Sequence, residues 1–565
     1  MPRHFIPEQL TIETREDVIS WYESLANREI QNEAGYRQFL ADVSELESAV
    51  SEDLAWRYIR MTCDTTDKER EKAYLFFVQE IQPHLAPLED KINNKIVKSP
   101  FAADVEKDEA YRIYLRGLRG AVEIFREENV PLQAELASMA QEYAAIQGAM
   151  SIEHDGKTIT MQQAGNYLMD TDRAVREVVW KKMFERRNAD VAKLETLFDA
   201  MVQKRHQVAL NAGFSNFRDY MFKALGRYDY TVQDCLDFHQ SVETCVVPLL
   251  RKLTESRRTK LGLDKLRPWD LAVDAEGRAP LKPFSDGADL LEKSLVCLQK
   301  TDPFFAECLQ TMKKDNLLDL ESRIGKAPGG YNYPLAETNK PFIFMNASGN
   351  LRDVETLVHE AGHAVHSFLM APLELNAFKN TPSEVAELAS MSMELLTMDA
   401  WDAYLPDATD LNRAKREQLE GILATLPWIA QVDAFQHWIY TNPEHTAAER
   451  AAKWLELQGR FGPGEVDYSG CEDALKYSWH KQLHIFEIPF YYIEYGFAQL
   501  GALGVWMSYC NDAGKALGDY KKALKLGYTR TIPEMYTAAG PGFDFSEGNI
   551  KNLFRHLDSY LQRMN

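Results

Sequence analysis

A mostly α-helical fold with a small β-sheet follows from three observations. Long stretches rich in Ala, Leu, Glu, Gln, Lys and Arg carry apolar residues at three- and four-residue intervals, as in Tyr111 to Arg126 and Pro131 to Met150. Strand signals are few. One is Ser151 to Met161, where His154-Asp155-Gly156 offers an Asp-Gly hairpin turn between Ile152 and Ile159. Another is the short apolar run Pro341 to Asn346. Asp170 or Thr171 is expected to cap a helix running through Arg173, Arg176 and Trp180. The clearest shift in composition lies between Leu261 and Pro341, where Pro, Gly and Asp punctuate the chain. A soft boundary is placed near residue 200, dividing an N-terminal helical lobe (1–200) from a second domain (201–565) that holds the chemistry.

Bulk properties exclude several classes. The 565 residues carry a net charge of −21, and binding to nucleic acid would need clustered Lys and Arg instead. Seven scattered cysteines never fall as CxxC, which suits reduced thiols better than a disulfide framework or a thiolate zinc site. No run of 18 apolar residues could span a bilayer, and MPRHFIPEQL lacks the apolar stretch of a secretory signal. A cytoplasmic protein with no nucleic-acid or membrane partner is expected, as a monomer.

The chemistry centres on His359-Glu360-Ala361-Gly362-His363. Two histidines one helical turn apart can reach a single ion, and the Glu between them can hold a water beside it. Val354, Leu357, Val358, Ala361, Val365 and Phe368 form one apolar stripe, while His359, His363 and His366 fall on the opposite face within about 60°. A packed core histidine would sit inside the stripe. A catalytic zinc needs a third protein ligand, and a third His three turns on would fall at Leu369. Two carboxylates are candidates. Thr381-Pro382-Ser383-Glu384 has the form of a capping box, which would occupy Glu384 locally, so Glu387 is the favoured ligand and Glu384 the second. Glu394 is a candidate acceptor for a ligand histidine. His480 and His484 are also four apart, but no third ligand stands near them.

With these residues in view, the chain resembles the thimet oligopeptidase family, in its oligoendopeptidase F and Pz-peptidase branch. The resemblance rests on His359-Glu360-Ala361-Gly362-His363-Ala364-Val365-His366 and on Ser383-Glu384-Val385-Ala386-Glu387, which places the third ligand on Glu387. It extends to Lys326-Ala327-Pro328-Gly329-Gly330-Tyr331, to Pro341 to Asn346, and to His484 through Tyr495. Where many relatives have an aromatic and then Cys after the Gly-Gly turn, this chain has Tyr331-Asn332. The resemblance implies a two-lobed helical fold with a deep central channel and one Zn2+ per chain. It implies an endopeptidase acting on short unstructured peptides through zinc-activated water, with Glu360 as general base.

The same resemblance assigns the remaining residues. His484 and Tyr492 would contact the oxyanion or carbonyl, Tyr491 being the ambiguous neighbour, and Tyr495 would touch substrate. Pro489 is expected to start their helix. The run Phe342 to Met345 is expected to offer a strand edge to the peptide, with Asn346 and Ala347 near the cleavage point and Gly329 and Gly330 allowing close backbone approach. Two rivals remain: an exopeptidase or dipeptidase on the same fold, and a silent peptide-binding protein.

Overall fold

The computed structural model describes residues 3–8, 10–323, 325–327 and 329–564, so Pro328 of the Gly-Gly motif lies outside the described residues. The chain is mostly helical and forms two compact units. One comprises Met1–Glu127, Lys282–Leu411 and Ala498–Phe543; the other comprises Glu128–Leu281, Asn412–Phe497 and Asp544–Asn565. Neither is a single stretch of sequence. The boundary expected near residue 200 falls inside the helix Val191–Asn211 of the second unit.

The first unit opens with helices Glu16–Asn27, Glu33–Cys63, Gln82–Lys98 and Glu109–Ile124. They bury Val18, Leu25, Tyr36, Phe39, Ile92 and Leu115 in one core, which Leu375 and Phe378 join. Its sheet consists of β3 (Leu318–Glu321), β4 (Tyr331–Leu335) and β5 (Lys340–Ala347) in the order β3-β5-β4. β5 is buried along Pro341–Met345, as its unbroken apolar run requires of a strand covered on both faces. It pairs parallel with β3 and antiparallel with β4. The expectation of a free edge at Phe342–Met345 is therefore corrected. Neighbouring strands flank this segment on both sides, and the outer strand of the hairpin is β4. Lys326, with a side chain 0% exposed, locks the assembly by donating to the carbonyls of Asp319, Glu321 and Met345 and to Asp319 Oδ1.

β5 leads into the helix Leu351–Met370 through a tight junction. Asn350 and Asp353 form a capping box, and Asp353 Oδ2 accepts from the backbone N–H groups of Ser348, Gly349 and Asn350 at 2.7, 2.9 and 3.1 Å. This helix packs against Ser383–Thr397. The capping box expected at Thr381–Glu384 does not form. Pro382 itself occupies the cap position, where its carbonyl accepts from Val385 and Ala386.

The second unit carries the hairpin of β1 (Ser151–His154) and β2 (Lys157–Thr160), with Ile152 opposite Ile159. Asp155 and Gly156 both have positive φ (50° and 72°), the geometry such a two-residue turn demands. The helix expected from Asp170 or Thr171 is capped by Asp172 and spans Arg173–Asn188. The helices Val232–Cys245, Ala447–Phe461 and, from Asn412 onward, Ala408–Thr441 bury Phe238, Trp454 and Phe435 in this unit. Among the described residues no helix is long and apolar enough to cross a membrane.

Candidate metal centre and active site

Gly362 explains how the two helices of the first unit come close enough to share a ligand set. A Cβ built there would lie 2.6 Å from Ser390 Cα and 2.8 Å from the Ala389 carbonyl oxygen. Only glycine fits, and the contact brings Glu387 over the paired histidines. Glu387 Oε2 stands 3.3 Å from His359 Nε2 and 3.7 Å from His363 Nε2. Ligand atoms about 2.1 Å from one tetrahedral ion sit roughly 3.4 Å apart, so this spacing fits a single zinc. The sequence-favoured set is thus brought together. Glu384 is buried on the same helix, and its carbonyl accepts from Tyr536 Oη at 2.8 Å.

Hydrogen bonds orient the set. His359 Nδ1 donates to Glu394 Oε1 at 2.7 Å, which turns Nε2 towards Glu387 and the ion position. Ser390 Oγ donates to Glu387 Oε2 at 2.9 Å. Burial works against ionisation of Glu387, yet His363, His359 and Ser390 hold its carboxyl down at about 2. Burial lowers His363 to about 4, whereas Glu387 and Glu394 outweigh burial and raise His359 well above the usual imidazole value. In protein alone a proton on His359 balances the carboxylates, the position a cation would take over. Glu360 is pushed up to about 7, by burial first and by Glu387 and Glu394 next, against the pull of His359. Its Oε2 is buried with no hydrogen-bond partner. An orphaned carboxylate oxygen beside converging ligands is a place for water. Both ligand histidines keep 19% of their side chains exposed, which is access for a substrate. His366 is 2% exposed and lies outside the ligand cluster.

The loop ahead of the motif helix is tied to it. Asn332 Nδ2 donates to the Glu360 carbonyl at 3.2 Å, so the residue that departs from the family pattern steadies the helix carrying Glu360. Asn346 Nδ2 donates to the carbonyls of Ala327 and Gly329 at 2.8 and 2.9 Å, which makes it a brace for the Gly-Gly turn. Gly329 has φ 97°, a conformation that favours glycine, and a Cβ on Gly330 would lie 3.4 Å from the Phe344 carbonyl oxygen. Ala347 is buried and paired with Glu321 in the β3–β5 ladder.

His484, Tyr491, Tyr492 and Tyr495 belong to the second unit and form one ring cluster. Ring centroids of His484 lie 4.8 Å from Tyr492, 5.7 Å from Tyr495 and 5.8 Å from Tyr491. The helix begins at Ile493 and not at Pro489, because Phe490 has φ 68° and turns the chain out of helical geometry. Gln436 Oε1 accepts from the Phe490 N–H at 2.8 Å, and Arg227, paired with Glu494, donates to its carbonyl. Two residues that sequence reasoning missed fix the state of His484. Trp428 Nε1 can only donate, so Gln482 Oε1 accepts it at 2.8 Å, and the Gln482 amide must then donate to His484 Nδ1 at 2.8 Å. Neutral His484 is thereby held with its proton on Nε2, as a hydrogen-bond donor. His480 bonds Glu195 at 2.6 Å and shares no helix with His484, so the two form no metal pair.

Helical fold, HExxH helix and carboxylate on a crossing helix together define a metallopeptidase-type centre. The profile of "Peptidase family M3" matches residues 166–553, and that of "Peptidase M3 N-terminal domain" matches residues 13–125. The chain belongs to peptidase family M3. An oligoendopeptidase F homolog of Borreliella burgdorferi is 22% identical over 498 residues, covering 83% of this chain and 80% of its own length. Oligopeptidase PepF of Bacillus subtilis is 25% identical over 52% of this chain, a match that spans only 43% of the relative's length. The solved structure of Pz peptidase A with an inhibitor superposes with TM-score 0.91 at 27% identity, covering 99% of this chain and 98% of that one.

Proposed function

We propose that this chain is a zinc endopeptidase that hydrolyses internal peptide bonds of short unstructured oligopeptides, with one zinc at His359, His363 and Glu387. The observation that carries the reading is the convergence of those three ligand atoms beside Glu360, whose Oε2 is buried without a hydrogen-bond partner. A zinc ion held there would polarise the scissile carbonyl and acidify a water. Glu360 takes the proton of the attacking water and returns it to the leaving amine. His484 and Tyr492 donate to the oxyanion, and Tyr495 contacts substrate. Gly329, Gly330, Asn346 and Ala347 shape the peptide's seat, with β4 as the edge strand that follows the Gly-Gly turn. Family resemblance carries the roles of this second group and the limit to short peptides. A cytoplasmic monomer is part of the same reading.

An internally quenched peptide blocked at both ends tests the endopeptidase assignment. Cleavage is expected, whereas activity only on peptides with a free terminus would favour the exopeptidase reading. Glu360→Gln should keep its zinc and lose at least ~100-fold in rate. A variant as active as wild type would remove Glu360 from the base role, and wild-type protein that binds zinc but cleaves nothing would favour a peptide-binding protein.

A further inference from the structure

A second constellation of metal-ligating residues lies buried in the second unit, and none of its members has a role in the proposed reaction. The helix Val232–Cys245 carries Cys235 and His239, four residues apart, and the helix Ala408–Thr441 carries Asp433 and His437, also four apart. Each pair therefore sits one turn apart on one face, and the two faces meet. His239 Nε2 is 2.8 Å from Asp433 Oδ2, and His437 Nε2 is 3.1 Å from the same oxygen. Ligand atoms of Cys235, Asp433 and His437 all lie within 4.8 Å of one another. Cys235 and Asp433 are 0% exposed, His239 is 4% and His437 is 5%.

Hydrogen bonding leaves His437 and one oxygen of Asp433 unsatisfied. Neither ring nitrogen of His437 has a hydrogen-bond partner, although the ring is buried, and Asp433 Oδ1 has none either. His437 Nε2 approaches Asp433 Oδ2 outside hydrogen-bond geometry, as two ligands do when their lone pairs point at a common ion and not at each other. Buried polar atoms without partners are rare and costly. The aromatic rings of Phe222 and Phe490 stand edge-on to His437, with centroids 6.2 and 5.4 Å away. Charge points the same way. A thiolate and a carboxylate with two neutral imidazoles carry two negative charges, which one divalent cation neutralises, so burial of the complete set leaves no net charge.

We propose that Cys235, His239, Asp433 and His437 form a closed structural site for a divalent cation of borderline softness, zinc by its donors, that ties these two helices together. Cys235 Sγ, an Asp433 carboxylate oxygen and a His437 ring nitrogen supply three ligands, and His239, whose Nε2 lies 2.8 Å from Asp433 Oδ2, is the nearest side chain to serve as the fourth. Binding forms a sulfur–metal bond and releases the thiol proton of Cys235 to solvent. The chain would then hold two metals, one exchangeable and one integral.

The test uses full-length protein in which the first centre is removed. His359→Ala/His363→Ala should retain one equivalent of zinc where wild type holds two. Loaded with Co2+ in place of zinc, that protein should show thiolate-to-cobalt charge-transfer absorption in the near ultraviolet, a signature the sulfur-free His359/His363/Glu387 set cannot give. Adding Cys235→Ser, close to isosteric, should abolish the band and lower the melting temperature. A double-histidine variant that folds by circular dichroism but holds neither Zn2+ nor Co2+ would overturn the proposal and leave a protonated His–Asp–His network. Retained cobalt without the sulfur signature would overturn it equally. Wild type dialysed against a chelator provides a measurement free of mutation, with one equivalent expected to remain and none expected if the site does not exist.

Discussion

Two clusters in this protein follow one plan, with paired residues four apart on a helix meeting a carboxylate from a crossing helix, and they differ in access. At His359, His363 and Glu387 the histidines are partly open to solvent, a carboxylate with an unused oxygen stands beside them, and all three ligands are nitrogen or oxygen. At Cys235, His239, Asp433 and His437 the residues are enclosed, and a thiol is among them. The difference is that between a centre with a coordination position left for chemistry and one filled by protein. Chelation should expose it most sharply. A strong chelator is expected to abolish peptide hydrolysis and remove one zinc per chain quickly, with activity restored by added Zn2+. Loss of both metals at one rate would break the comparison.

Ring placement in the second unit provides the next largest effect. Gln482→Glu replaces the amide donor with an acceptor, so His484 would carry its proton on Nδ1 and present a bare Nε2. A fall in kcat of about 10- to 100-fold is expected, with the zinc content of both centres unchanged. An unaltered kcat would remove His484 from the donor role. Gly362→Ala should act on the open centre alone. The added methyl meets Ser390 and Ala389 and pushes the third-ligand helix away from the histidines. A drop in zinc affinity of about tenfold or more is expected there by titration against a competing chelator, corresponding to ~1–3 kcal/mol of overpacking strain. The same affinity as wild type would mean that the helices separate without disturbing Glu387.

The open centre was legible in the sequence because helical periodicity fixes it. Five consecutive letters define which side chains share a face, and one turn of offset separates Glu387 from Glu384. The reason offered for that separation was wrong, since Pro382 caps the helix and no capping box forms. The Asp155-Gly156 hairpin was equally local. What stayed hidden depends on distant partners. Phe490 takes its positive φ among Gln436, Arg227 and Glu494, so the start of the tyrosine helix could not be placed from Pro489. The edge assigned to Phe342–Met345 came from the resemblance, and the pairing that covers it depends on β3, which Lys326 ties to β5. The Cys235 cluster joins helices almost two hundred residues apart in sequence, and Cys-x-x-x-His on one helix is no signal by itself.

The smallest effect on activity is expected from a change that touches neither cluster and tests whether the sheet beside the open centre is held by charge. Asp319 accepts from Lys326 at 2.7 Å and from both terminal nitrogens of Arg323 at 2.6 and 2.7 Å. Burial opposes its ionisation, but Arg323, Lys326 and Cys63 hold the carboxyl down at about 2. Asp319→Asn would leave the enclosed Lys326 ammonium with carbonyl oxygens alone, at an expected cost of about 2 kcal/mol. A carboxyl depressed by folding stabilises fully above its unfolded value of about 4, and that stability fades as pH falls through about 2. Urea midpoints of wild type and variant should therefore differ equally at neutral and mildly acidic pH and draw together below pH ~4. A gap that persists undiminished into that acid range would mean that shape, and not the charge of Asp319, holds β3 against β5; the metal content of both clusters should stay constant throughout the neutral range.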